Sequence, residues 1–411
     1  MKKLKLDQIA ILIVVLIIIG FGLFFIIKKL SGMSKKENNR EMISLLNYTK
    51  EEIINYCHEN DIVLDIEEKV SSVKEGNIIS QSISEGTKLK KGDKLTIVIS
   101  KGIDYEKLKV NEMGSVPILM YHGIHDVKDN KYTGGNVDYD GYQRTADAFR
   151  KDLEFYYQNG YRMIRLEDYV NGIIDVEAGY SPLIITFDDG LENNIEVTGL
   201  DDAGNIIINP NSAVGILNEF RNKYPDYNVT ASFFVTENLF NQKEYNEKIL
   251  KYMVENNYDI GNHTATHVDF TSVDEVESQE EVGIVYELLD KYIPNKYVHI
   301  VALPYGTPYS KSHHNFQYIL DGKYNGKDYN TISTLRVGWE ASYSPFDSDF
   351  DKTFLKRIRA YDNNGEEFDI EMNFDILENT RYISDGDKDT VVIPKDKEKY
   401  LNDTKLKVIT Y

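Results

Sequence analysis

Two adjacent aspartates, Asp188 and Asp189, close an apolar run and constrain this chain more than any other feature. Leu183-Ile184-Ile185 reads as a short buried strand, and Thr186-Phe187-Asp188-Asp189-Gly190 carries it to a polar tip. Like charges so close repel, and a low-dielectric wall raises the cost. A bound cation would relieve it. The partners stand downstream, at His263-Thr264-Ala265-Thr266-His267. Imidazoles at i and i+4 share a face if the segment is helical. One carboxylate and two imidazoles make a facial ligand set with positions open for water and substrate. The other carboxylate can then take a proton from that water. Alone, Asp-Asp-Gly is more often a turn, and a lone histidine pair more often a surface or core feature. Their joint occurrence carries the metal reading.

The large domain, expected over residues 114–411, alternates strand and helix. Val116–His122 is an apolar strand with a polar tip, Phe149–Asn159 an amphipathic helix, and Tyr161–Leu166 a short strand. A hairpin is expected over Val197–Ile208, then a helix over Ala213–Tyr224, a strand over Ala231–Val235 and a helix over Asn246–Asn257. Thr331–Val337 and Phe354–Ala360 read as the last strands. The charged tail, 363–411, offers only a strand-like Thr390–Ile393. This alternation predicts an α/β fold, a deformed (β/α) barrel, with its site at the carboxyl ends of the strands. His122 is a candidate site residue on that ground.

T-F-D-D-G followed by H-T-x-x-H resembles the first two motifs of the polysaccharide deacetylases, carbohydrate esterase family 4. Ala302-Leu303-Pro304-Tyr305-Gly306 is similar to the third, R-x-P-Y-G-like, motif. The likeness covers roughly residues 114–380. It implies a divalent metal, expected to be zinc, held by Asp189, His263 and His267. It implies Asp188 as general base, and Thr264, Pro304 and Tyr305 as substrate contacts. Three departures stand out. Ala302 replaces the arginine that orients the base in the family. The fifth-motif histidine is absent, with Leu355-Lys356-Arg357-Ile358-Arg359 in its place. The fourth motif is missing, although Trp339 is nearby. Arg357 is the candidate to replace the missing arginine and His122 the missing histidine. The activity implied is removal of N-acetyl groups from polysaccharide or peptidoglycan. The competing reading is a degenerate relative that binds glycan without hydrolysis.

Ile9–Ile27 is an apolar run of 19 residues, long enough to cross a bilayer. It is longer than a signal-peptide core and no small-x-small cleavage site follows, so an uncleaved anchor over 9–29 is expected. Lysines on both sides leave its orientation open. After a polar linker, residues 43–102 form a small α+β unit. Its G-x-I-I-x-Q, E-G-T, K-K-G-D and V-I-S-K-G pieces resemble a PASTA domain. Both resemblances imply a cell-membrane protein with a single pass and an extracellular catalytic domain. A net charge of −20 argues against nucleic acid as a partner and against non-specific adhesion to anionic polymers. A single cysteine, Cys57, excludes an intramolecular disulfide.

Overall fold

The apolar runs picked out above become the parallel strands of one sheet. The computed structural model describes residues 40–71, 73–127, 133–338, 340–363 and 370–411. The expected anchor, 9–29, and Trp339 lie outside them. No helix among the described residues is long and apolar enough to cross a membrane. The chain divides into two compact units after Ile103.

In the first unit, helix α1 (Lys50–Glu59) starts at a capping box: Thr49 accepts from the Glu52 amide, and the Glu52 carboxylate accepts from the Thr49 amide. A three-stranded sheet follows, β1 (Val63–Lys69), β2 (Ile78–Gln81) and β3 (Lys94–Ser100), with β3 in the middle. Leu95, Ile97 and Ile99 alternate onto one face and pack with Ile53 and Cys57, as the period of two requires. Strand β1 escaped the sequence reading because most of its side chains are exposed and charged.

The second unit is built on eight strands. They are β4 (Ile118–Tyr121), β5 (Tyr161–Met163), β6 (Ser181–Phe187), β9 (Ser232–Val235), β10 (Asp259–Asn262), β11 (Ile300–Ala302), β12 (Ser333–Leu335) and β13 (Ile358–Arg359). Between β6 and β9 lies the expected hairpin, β7 (Val197–Leu200) and β8 (Ile206–Ile208). The eight-stranded order is β12-β11-β10-β9-β6-β4-β13, with β5 beside β6, and every pairing is parallel. The sheet is a curled half-barrel. Its two edges meet through one segment: Leu355 bridges Leu335 of β12, and Ile358–Arg359 pair with β4.

Helices α2 (Ala146–Gln158), α3 (Ala213–Lys223), α4 (Asn246–Glu255) and α5 (Glu275–Tyr292) link the strands. Thr145, Ser212 and Asp274 cap three of them through side-chain oxygens. Helix α5 was not anticipated. Strand β6 is buried along its whole length, and Phe187 at its end stacks on Phe233 of β9, ring centres 4.7 Å apart. The tip carrying the aspartates therefore rests on packed aromatic rings.

The tail is ordered into helix α6 (Ile370–Thr380) and a parallel pair, β14 (Thr390–Ile393) and β15 (Lys407–Thr410). Glu112 ties it to the start of the domain. Its buried carboxylate accepts from the Tyr382 hydroxyl and from the Asp385 and Val392 amides. Burial, with the Asp385 charge, pushes its carboxyl up to about 8 against those three bonds. The fold thus holds this proton more tightly than the unfolded chain does. The stabilisation is fully present below the ordinary carboxylate range and is lost as pH rises towards about 8. Thermal unfolding of the wild type and Glu112→Gln should show a wild-type margin that is largest near pH ~5 and shrinks towards pH ~8. A margin independent of pH would remove the titration from Glu112.

Candidate active site

The carboxyl ends of β4, β6, β10 and β11, with Arg357 just ahead of β13, bring together the residues singled out in the sequence. Asp188 follows β6 and is 1% exposed. Its amide donates to the Tyr121 carbonyl at the end of β4. Its carboxylate is gripped by Arg357, Nη1 to Oδ1 at 2.8 Å and Nη2 to Oδ2 at 2.7 Å. Arg357 is itself fixed. Nε donates to the Arg336 carbonyl, and Nη1 also to the Thr186 hydroxyl, which donates in turn to Leu119 O. Burial alone would raise the Asp188 carboxyl. The Arg357 charge outweighs it and holds the group far below the usual carboxylate range. Asp188 is thus a fixed, ionised acceptor.

Asp189 turns the other way because its backbone is left-handed, φ 72°, followed by Gly190 at φ 59°. A Cβ on Gly190 would lie 2.4 Å from the Leu239 carbonyl oxygen, so only glycine fits this turn. Asp189 Oδ1 sits 3.2 Å from His263 Nε2 and 3.5 Å from His267 Nε2. The ligand atoms of the three residues all lie within 4.8 Å of one another.

The chemistry of this set fits a cation. His263 Nδ1 is 2.8 Å from the Ala302 carbonyl oxygen, which assigns the ring hydrogen to Nδ1 and leaves a lone pair on Nε2. That Nε2 is buried and has no hydrogen-bond partner. A lone pair and a carboxylate oxygen 3.2 Å apart repel unless a proton or a cation lies between them. Asp189, His263 and His267 are therefore the candidate metal ligands.

The histidine segment is not helical. After β10 the backbone turns left-handed at Thr264, φ 63°, and again at His267, φ 60°. These two turns, rather than one face of a helix, bring the imidazoles together, ring centres 4.9 Å apart. Asn262 and Glu281 hold the loop. Asn262 Oδ1 accepts from the Thr264 amide, and the Glu281 carboxylate accepts from the amide and hydroxyl of Thr266. Thr264 is buried and its hydroxyl accepts from the Val268 amide, so it is bonded within the loop. Neither Asn262 nor Glu281 was anticipated. Glu281 is on α5, and no sequence pattern links it to the histidines.

Pro304 is buried, while Tyr305 is 59% exposed. The Tyr305 ring meets His267 edge-on at 4.5 Å, and its backbone is left-handed, φ 56°. It forms an aromatic wall beside the ligand set. His122, at the tip of β4, lies edge-on to Tyr142 at 4.9 Å, and its Nδ1 is buried with no partner. Burial lowers its pKa, opposed by the charges of Asp188 and Asp189. It is a neutral imidazole within electrostatic reach of both aspartates.

Residues 176–318 match the family model described as polysaccharide deacetylase, and residues 40–101 match that of the PASTA domain. The chain carries a polysaccharide deacetylase domain. The deacetylase match takes in both aspartates and both histidines, and neither His122 nor Arg357. Similar solved structures include the Streptococcus pyogenes deacetylase PplD in complex with acetate, 19% identical, covering 61% of this chain and 94% of that one, TM-score 0.45. The Aggregatibacter actinomycetemcomitans de-N-acetylase is 12% identical, covering 59% and 93%, TM-score 0.39. The peptidoglycan deacetylase PdaC from Bacillus subtilis is 21% identical, covering 33% and 55%, TM-score 0.23. No curated protein matches the chain.

The ligand set predicts that the full-length protein takes up about one equivalent of zinc or another first-row divalent ion. His263→Ala should lose most of it, because two remaining ligands hold such an ion weakly. Metal content measured on the purified variant decides this, and full occupancy would break the ligand assignment.

Proposed function

We propose that this protein is a membrane-anchored, extracellular, metal-dependent deacetylase that removes N-acetyl groups from cell-wall or surface polysaccharide. The observation that carries this reading is the forked Asp188–Arg357 pair beside the Asp189, His263 and His267 set. A base and an open ligand set side by side serve hydrolysis better than binding alone. The apolar run at 9–27 would anchor the chain, and the PASTA unit would act as a spacer between anchor and catalytic domain.

When bound, a divalent cation, expected to be zinc, supplies Lewis acidity at the acetyl carbonyl and makes water a better nucleophile. Asp188 accepts the proton that water loses as its oxygen attacks the acetyl carbon. Arg357 holds both carboxylate oxygens, so the base meets that proton in one orientation. Tyr305 walls the sugar on the His267 side. The carbon–nitrogen bond then breaks and the leaving nitrogen takes a proton. His122 is the donor. Burial favours its neutral form, so it takes up the proton that Asp188 received from water and passes it to the leaving nitrogen. The products are acetate and a free amine, cationic at neutral pH.

Acetate release from acetylated chito-oligosaccharides and from peptidoglycan fragments, with and without chelator, tests the activity. Chelator-sensitive release supports it. No release from either substrate by metal-loaded protein would leave a glycan-binding protein instead.

Two substitutions separate the aspartates. Asp188→Asn should keep its metal and lose activity by several orders of magnitude, because an amide cannot accept the proton. Asp189→Asn should lose metal affinity. Equal metal content in the two variants would erase the distinction between base and ligand.

His122→Ala should keep metal and substrate affinity while turnover of the amide falls ~10²-fold or more. An activated ester, whose leaving group needs less protonation, should recover much of that rate. If amide and ester lose the same factor, His122 is not the proton donor.

A further inference from the structure

Arg359 carries a charge that the mechanism above does not use. It follows Arg357 by two residues at the end of β13, paired with Met120 of β4, which places it on the same side of the strand as Arg357. Its guanidinium carbon lies 4.9 Å from the centre of the Tyr142 ring and 4.8 Å from that of Tyr361. Tyr142 is the same ring that meets His122 edge-on. The cation therefore stands one aromatic ring away from the proposed proton donor.

The tyrosine clamp is built into the backbone. Gly141, φ 69°, packs so closely on Tyr361 that a Cβ there would lie 1.7 Å from a ring carbon. The loop carrying Tyr142 and the segment carrying Tyr361 are thus seated against each other around Arg359. Aromatic faces hold a guanidinium through its charge without using its N–H groups, which lie in its plane. Arg359 is half-buried, and no acidic side chain pairs with it among the described residues. The chain has 67 acidic residues against 47 basic ones, so acids to pair with are plentiful. An arginine held by rings, with no acid paired to it among the described residues, is poised for an anion from outside.

We propose that Arg359 is an anion-recognition residue at the rim of the catalytic site, and that the substrate is an N-acetyl sugar bearing a carboxylate or phosphate near the acetamido group. This rests on the deacetylase reading and narrows its substrate class. It also answers the overall charge of −20, which repels anionic polymers and so calls for a local cation where one must bind.

The test uses full-length, zinc-loaded protein and three oligosaccharides: neutral N-acetylglucosamine tetrasaccharide, one alternating N-acetylglucosamine with N-acetylmuramic acid, and one of N-acetylglucosamine units joined by phosphodiesters. The wild type should favour the carboxylate or the phosphate substrate in kcat/KM, and which one it favours names the source of the anion. Arg359→Gln should raise KM for that substrate about tenfold or more, the scale of a charge-assisted hydrogen bond, and leave kcat near wild type. KM for the neutral tetrasaccharide should stay within about twofold, and Arg359→Lys should recover part of the preference. No wild-type preference for an anion, or an equal loss on all three substrates in Arg359→Gln, overturns the proposal. Direct binding of the same oligosaccharides is measured in parallel, so a protein that releases no acetate still tests it. In that case the deacetylase reading falls, while an anion preference lost in Arg359→Gln keeps Arg359 as the recognition residue and equal binding removes it.

Discussion

Everything at the mouth of this sheet depends on one ion pair, Arg357 with Asp188, sealed from solvent. Breaking such a pair by removing one partner costs roughly 3–5 kcal/mol, because the other charge is left buried alone. The surroundings are arranged so that neither charge is alone. Thr186 and the Arg336 carbonyl take two further donors of Arg357, and the Tyr121 carbonyl takes the Asp188 amide. The pair joins β6 to the segment that bridges the two edges of the sheet. It fixes the proposed base and the architecture together, and the candidate ligand set stands on the tip that it holds.

A second constraint is backbone geometry. Asp189, Thr264, His267 and Tyr305 all adopt left-handed φ values between 56° and 72°, and none is a glycine. Each costs roughly 1–2 kcal/mol relative to an ordinary conformation. Four such residues around one set of ligand atoms mark a place where position has been favoured over stability. The strain is distributed: Gly190 takes the tightest turn, and Asn262 and Glu281 brace the histidine loop.

Much of this was legible in the sequence. The apolar runs ending at His122, Asp188 and Val235 announced buried parallel strands. The paired aspartates and histidines announced a cluster of candidate ligands, and the structure brings Asp189, His263 and His267 together. Arg357 could be nominated because a motif arginine was missing at Ala302, but only the three-dimensional pairing joins it to Asp188. The helical reading of 263–267 failed because i, i+4 spacing does not distinguish a helix from a loop with two left-handed turns. Helix α5 and strand β1 were missed, the latter because it shows little apolar alternation. The tail was opaque because its order comes from contacts with Glu112, far away in sequence.

The place of Arg357 in the chain has a consequence for biogenesis. Asp188 precedes its partner by 169 residues, and the segment that carries Arg357 is also the one that joins the sheet's edges. A nascent chain that has made all three ligands still has an unaccompanied aspartate at the centre of an open sheet. The proposed hydrolytic site would therefore be completed last, when the closing segment arrives, and a polypeptide stalled or clipped before that point would hold the candidate ligands beside an unpaired Asp188.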